Sequence, residues 1–142
     1  MKSQNGVTLT SLIIYVIAMS IIVATVATLT NYFHGNINGI SNRTSASKEF
    51  TVFNSYFVNE VNNRDNYVLA ELMNTQGDSK IVFSSGNQFT FASNAIYFNK
   101  VKICKEVTSC RFSFDSETKK ITVIIQFNGK TFNNEYTMQN DI

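Results

Sequence analysis

Residues 7–33 read VTLTSLIIYVIAMSIIVATVATLTNYF, and between Leu12 and Leu29 the only polar side chains are Tyr15, Ser20, Thr25 and Thr28, all uncharged. A bilayer core takes roughly 20 consecutive, mostly apolar residues as one helix. The run meets that length and predicts a membrane-crossing helix. Lys2 is the only charge before it, and the next lysine or arginine is Arg43. The positive-inside bias then puts the N-terminus in the cytoplasm and everything after Phe33 outside. An ordinary secretory signal has a shorter apolar region of ~7–15 residues, so Thr25-Val26-Ala27 is the weaker of two processing sites.

The stronger one lies ahead of the helix. The polar stretch KSQNG ends in Gly6 and is followed directly by the apolar run. Together these residues resemble the class III leader and hydrophobic helix of type IV pilins and of type II secretion or competence pseudopilins. The resemblance covers about the first 33 residues. It implies a pilin-like fold, cleavage by a prepilin peptidase between Gly6 and Val7, methylation of the new Val7 amine, and packing with other pilin subunits by an assembly machinery. Two positions depart from the family pattern. Phenylalanine usually comes first and glutamate fifth in the mature chain, where this sequence has Val7 and Ser11. Without that carboxylate the resemblance implies a minor subunit, at the tip or in initiation.

Beyond residue 33 about 109 residues remain, enough for one small domain with its own core. Eleven of the twelve phenylalanines lie there. The net charge of +2 points neither toward nor away from an anionic partner. Between Asn31 and Asn42 come Gly35, Gly39 and further asparagines, and each helical glycine costs ~1 kcal/mol relative to alanine. This composition predicts a hinge or break. His34, the only histidine, has no cysteine or carboxylate near it in sequence and reads as an interfacial polar residue. Asn42-Arg43-Thr44 matches a glycosylation acceptor too short to carry weight.

Helical periodicity resumes at Ser45: Phe50, Phe53, Phe57 and Val61 form one apolar stripe. The spacing predicts an amphipathic helix over about 45–63, capped by Ser45 or Ser47. Residues 67–138 then read as β-rich. Tyr67 to Leu72 fits a strand or a last helical turn, and Asn74 to Ser79 a loop. Lys80 to Ser84 and Gln88 to Ala92 are short strands around the turn Ser85-Gly86-Asn87, and Ala95 to Ile103 continues in the same style. At the end, ITVIIQF, Asn128-Gly129 and KTFNNEYTM form a hairpin whose turn suits type I′. Its register pairs Ile125 with Phe132 and Ile121 with Tyr136. That places Ile121, Val123, Ile125, Phe132 and Tyr136 on one face, to be covered by the Phe50–Val61 stripe. The expected fold is α+β: a long N-terminal hydrophobic helix (7–33) after a leader (1–6), then an extracytoplasmic head (34–142) with an amphipathic helix on an antiparallel sheet.

Cys104 and Cys110 enclose KEVTS, which would close a hairpin-like loop in an oxidising compartment and gain about 2–2.5 kcal/mol on the chain-entropy model. A disulfide is expected, with a buried pair of reduced thiols as the alternative. Zinc would need four ligands, and a redox dithiol a closer spacing. No nucleophile elbow, phosphate loop or metal-binding histidine pair occurs, and Asp115 and Glu117 read as solvated loop charges. The chain is expected not to be an enzyme and to need no cofactor or metal. Lys100, Lys102, Lys105, Arg111, Lys119, Lys120 and Lys130 outnumber Glu106, Asp115 and Glu117 and make a weak anion patch. Interleaved Phe98, Phe112 and Phe114 would suit DNA contact, although strand alternation sends them inward. The rival to a filament subunit is a single-pass anchored binding module that never polymerises.

Overall fold

The computed structural model describes residues 9–139, so Lys2, Gly6 and Val7 lie outside the described residues. The chain divides into two compact units, one through Ile40 and one from Ser41 onward. Helix α1, Leu9–Val61, begins in the first and ends in the second.

The expected break is not there, because residues 31–42 are helical throughout. Gly35 and Gly39 raise the conformational cost of the helix, yet they keep their N–H groups, and with no proline in the chain nothing deletes a hydrogen bond of the ladder. Nor do Ser45 and Ser47 cap a new helix. The Ser47 hydroxyl lies inside α1 and donates to the Arg43 carbonyl at 2.9 Å.

The stripe beyond residue 45 packs as its spacing requires. Phe53, Phe57 and Val61 are buried, and Phe50 is half-buried against the same core. The core is largely aromatic: the Phe57 ring lies 5.1 Å from Phe53, 5.0 Å from Phe89 and 4.8 Å from Tyr136. Off-face aromatic contacts of this kind each add ~0.5–1.5 kcal/mol to area burial.

Eight strands follow, in two antiparallel sheets. The first sheet is a meander of β1 (Val68–Met73), β2 (Ser79–Phe83), β3 (Gln88–Ala92), β4 (Ala95–Phe98) and β5 (Val101–Cys104). The second contains β6 (Val107–Asp115), β7 (Lys120–Phe127) and β8 (Lys130–Thr137). The single run expected over Ala95 to Ile103 is therefore two strands with a turn at Asn99-Lys100.

The C-terminal hairpin has the expected register, Ile125 opposite Phe132 and Ile121 opposite Tyr136. Ile121, Val123 and Ile125 are fully buried under α1, Phe132 stacks on Phe50 at 4.2 Å, and the Tyr136 hydroxyl donates to Asn54 Oδ1 at 2.7 Å. The turn type differs from expectation. Gly129 has φ +91°, but Asn128 is not among the positive-φ residues, so the pair does not form a type I′ turn. The two turns with both central residues at positive φ are Ser93-Asn94 (51° and 58°) and Asn99-Lys100 (48° and 73°).

β5 and β6 do not form the hairpin expected across KEVTS. β5 pairs with β4 and β6 with β7, and Lys105-Glu106 carries the chain from one sheet to the other. Glu106 adopts φ 58°, while the Lys105 N–H donates to the Glu49 carboxylate of α1 at 3.0 Å instead of joining a ladder. Side chains of the first sheet satisfy the free edge of β6. Ser79 Oγ donates to the Cys110 carbonyl at 2.6 Å, and Glu71 Oε2 accepts the Phe114 N–H at 2.7 Å. These bonds leave no open edge for another strand at those two positions.

Candidate functional site

The surface most in need of a function is the first part of α1. From Leu12 to Ile40 every side chain is exposed, among them Ile14, Val16, Ile17, Ile21, Val23 and Phe33. As far as Phe33 apolar side chains occur all round it. A helix of that kind requires hydrocarbon or other helices about it, since water offers its surface nothing. Its length and composition suffice to cross a membrane.

Its serine and threonine hydroxyls are already satisfied. Ser20 donates to the Val16 carbonyl at 2.7 Å, Thr25 to Ile21 at 2.7 Å, Thr28 to Ala24 at 3.0 Å and Thr30 to Val26 at 2.8 Å. Each bond closes one turn back along the helix, so none of these donors needs a solvent partner. Ser11 lies in the first described turns and is half-buried. His34 is exposed on the same helix.

Cys104 ends β5 and Cys110 lies in β6, both buried and both free thiols in this structure. The Cys104 thiol donates to the Glu49 carbonyl at 3.1 Å. Burial pushes it up to about 12, and burial likewise raises Cys110 above the ordinary thiol range. Such thiols hold almost no thiolate at neutral pH and exchange slowly while the fold is closed.

The cations of the expected anion patch are divided between the two sheets. Lys100 and Lys102 lie at the β4–β5 turn and on β5, with the Lys102 amine 6.0 Å above the Tyr97 ring. Lys105 sits at the crossover. Arg111 is on β6, Lys119 in the β6–β7 turn, and Lys120 pairs with Glu135 at 3.3 Å. Phe112 is buried, and Phe98 and Phe114 pack half-buried against the core, which leaves no aromatic platform for bases among these three. Asp115 accepts from the Thr118 hydroxyl at 2.7 Å, and that bond holds its carboxyl below the usual range.

Sequence reasoning missed the polar junction at the end of α1. Asn66 is buried, donates to the Glu60 carbonyl at 3.1 Å and carboxylate at 2.9 Å, and accepts from Ser84 Oγ and the Ser85 N–H. Asn87 and Ser85 complete the shell around the Glu60 carboxylate. Because its acceptors lie on Glu60 and Asn66 and most of its donors in the β2–β3 turn, no local motif could have announced it. Among the described residues no three His, Cys, Asp or Glu side chains converge as a metal site would require. Comparison of the chain with protein-family models, curated proteins and solved structures returns no match.

Proposed function

We propose that the chain is a minor pilin or pseudopilin, a non-enzymatic structural subunit of a type IV pilus-like filament. The observation that carries the reading is the two-part character of α1. It is apolar on every side to Phe33 and exposed as far as Ile40, then amphipathic and buried in a β-rich head from Ala46. Before assembly the first part would lie across the cytoplasmic (inner) membrane with the N-terminus inside. After cleavage between Gly6 and Val7 and methylation of the Val7 amine, the same surface would pack against helices of other subunits in an extracellular filament.

Ser11 gives the proposal its rank. An amine in a dry helical core is costly unless paired, and a serine hydroxyl supplies no charge to pair it. Such a subunit suits the tip or initiation of a filament, where few copies are needed. Mass spectrometry of the native protein tests the reading, with an N-methylated chain beginning at Val7 as the expected result. A chain that keeps Lys2 would favour the alternative, a single-pass anchored binding module.

A further inference from the structure

The outer face of the β6–β7–β8 sheet is polar along most of its length, with Ser109, Ser113, Thr122, Gln126 and Asn133 on it. One residue, Ile124, breaks that character. Arg111 lies directly across from Ile124, and Ile124 is only half-buried. This pair borders an open cleft of about 290 Å³ whose lining also includes Met73 at the end of β1, Gly77 of the β1–β2 turn, Ser109 and Cys110.

The cleft has an apolar side and a cationic one. Met73 is 54% exposed although it is a large apolar side chain, and it faces the same space as Ile124. Arg111 is exposed and has no hydrogen-bond or ion-pair partner among the described residues. The acidic groups nearby in the fold are occupied: Glu71 accepts the Phe114 N–H, Asp78 bonds the Asn74 amide, and Glu135 takes Lys120. The Ser109 hydroxyl is turned to Gln126 at 3.3 Å. The guanidinium is thus the one charge lining the cleft, with five N–H donors in a planar fork that matches a carboxylate.

We infer that this cleft binds a small free carboxylic acid with a short apolar chain. The carboxylate pairs with Arg111, and the chain lies between Met73 and Ile124. The volume sits at the low end of small-molecule sites, which excludes a bulky ligand. The inference does not depend on whether the subunit polymerises.

The test is methyl NMR of the full chain in phospholipid nanodiscs, titrated with hexanoate and, separately, with hexanol. Hexanoate should shift the Met73 and Ile124 methyl signals saturably at millimolar concentration, and hexanol at least ~10-fold more weakly, the ratio a charge-assisted hydrogen bond supports. Arg111→Gln should weaken hexanoate binding by ~10-fold or more while leaving the hexanol response unchanged, and Arg111→Lys should lie between. Arg111 is exposed, so unchanged methyl shifts in the Phe57 core will confirm that each variant folds. Equal responses to the two ligands, an unaffected Arg111→Gln variant, or no saturable shift would each overturn the inference and leave the arginine stem merely covering Ile124.

Discussion

Leu12–Ile40 and Ala46–Val61 belong to one helix, yet they obey different rules of composition. In the first part apolar side chains fill every face as far as Phe33 and every side chain is exposed; in the second, Ala46, Phe53, Phe57 and Val61 are buried while Lys48, Thr51, Asn59 and their neighbours face outward. The second part finds its apolar environment inside the protein, under two sheets. The first must find it elsewhere, in lipid or among other helices. The lesson is that helical continuity says nothing about the surroundings, whereas the angular spread of apolar residues does.

The largest effect expected from breaking this comparison is on the buried part. Phe57→Ala removes a fully buried ring that touches Phe53, Phe89 and Tyr136. It should destabilise the head by about 3–5 kcal/mol, a large share of the ~5–15 kcal/mol typical of a whole domain. Denaturant unfolding followed by near-UV signal will report it, and membrane integration should be unchanged. Ile21→Arg should do the reverse. Its insertion cost is about 2.5–3.5 kcal/mol at mid-span, so the membrane-integrated fraction falls while head unfolding is unaltered. If Ile21→Arg unfolded the head, the two parts would not be independent in the way their environments imply.

How far the sequence could carry this comparison depends on the range of the signal. The Phe50–Val61 stripe and the Ile121–Tyr136 hairpin were legible because periodicity and a two-residue turn are local. The split into two sheets was not, since it depends on Glu106 turning to positive φ and on Glu49, far away in sequence, accepting the Lys105 N–H. Turn types were read in the wrong places for a related reason. Asparagine tolerates the left-handed region, so Ser93-Asn94 and Asn99-Lys100 adopt paired positive φ without glycine, while Asn128-Gly129, the stronger motif, does not. The Arg111 cleft needs Met73 at the end of β1 and Ile124 in β7, which only the folded chain brings together.

Alkaline pH sharpens the view of the buried side. Burial raises Tyr136 to about 12 from 10.0, and Cys104 to about 12 from 9.0. Between each pair of values the unfolded chain has already lost the proton that the folded one retains, so stability is fully present below the unfolded value and falls as pH rises toward the folded one. With reduced thiols the decline should begin above pH 9.0, and with a disulfide only above 10.0, where Tyr136 begins to act. Protein taken from its own compartment should follow the second course and, denatured without reductant, accept no alkylating label at Cys104 or Cys110. Two labels and the earlier decline would show that the reduced pair persists.

The smallest effect bears on the border between the two parts. Gly35 and Gly39 stand just before Ile40, in helical conformation, and a Cβ added at either would meet nothing within 4 Å. Alanine there should therefore gain the ordinary propensity difference of about 0.5–1 kcal/mol per site, without strain. The gain should appear as slower amide exchange across residues 31–42, with no change in head stability, because no core side chain lies in that segment. Wild-type amides there should already exchange more slowly than those of an open loop, since each retains a helical acceptor. Loop-like exchange in the wild-type chain, collapsing to full protection on alanine substitution, would mean that the glycines act as a working hinge and that the continuous α1 is one state of two. Modest protection in the wild type and a modest increase in the variants would instead establish the two parts as a single helix whose character changes only through its side chains.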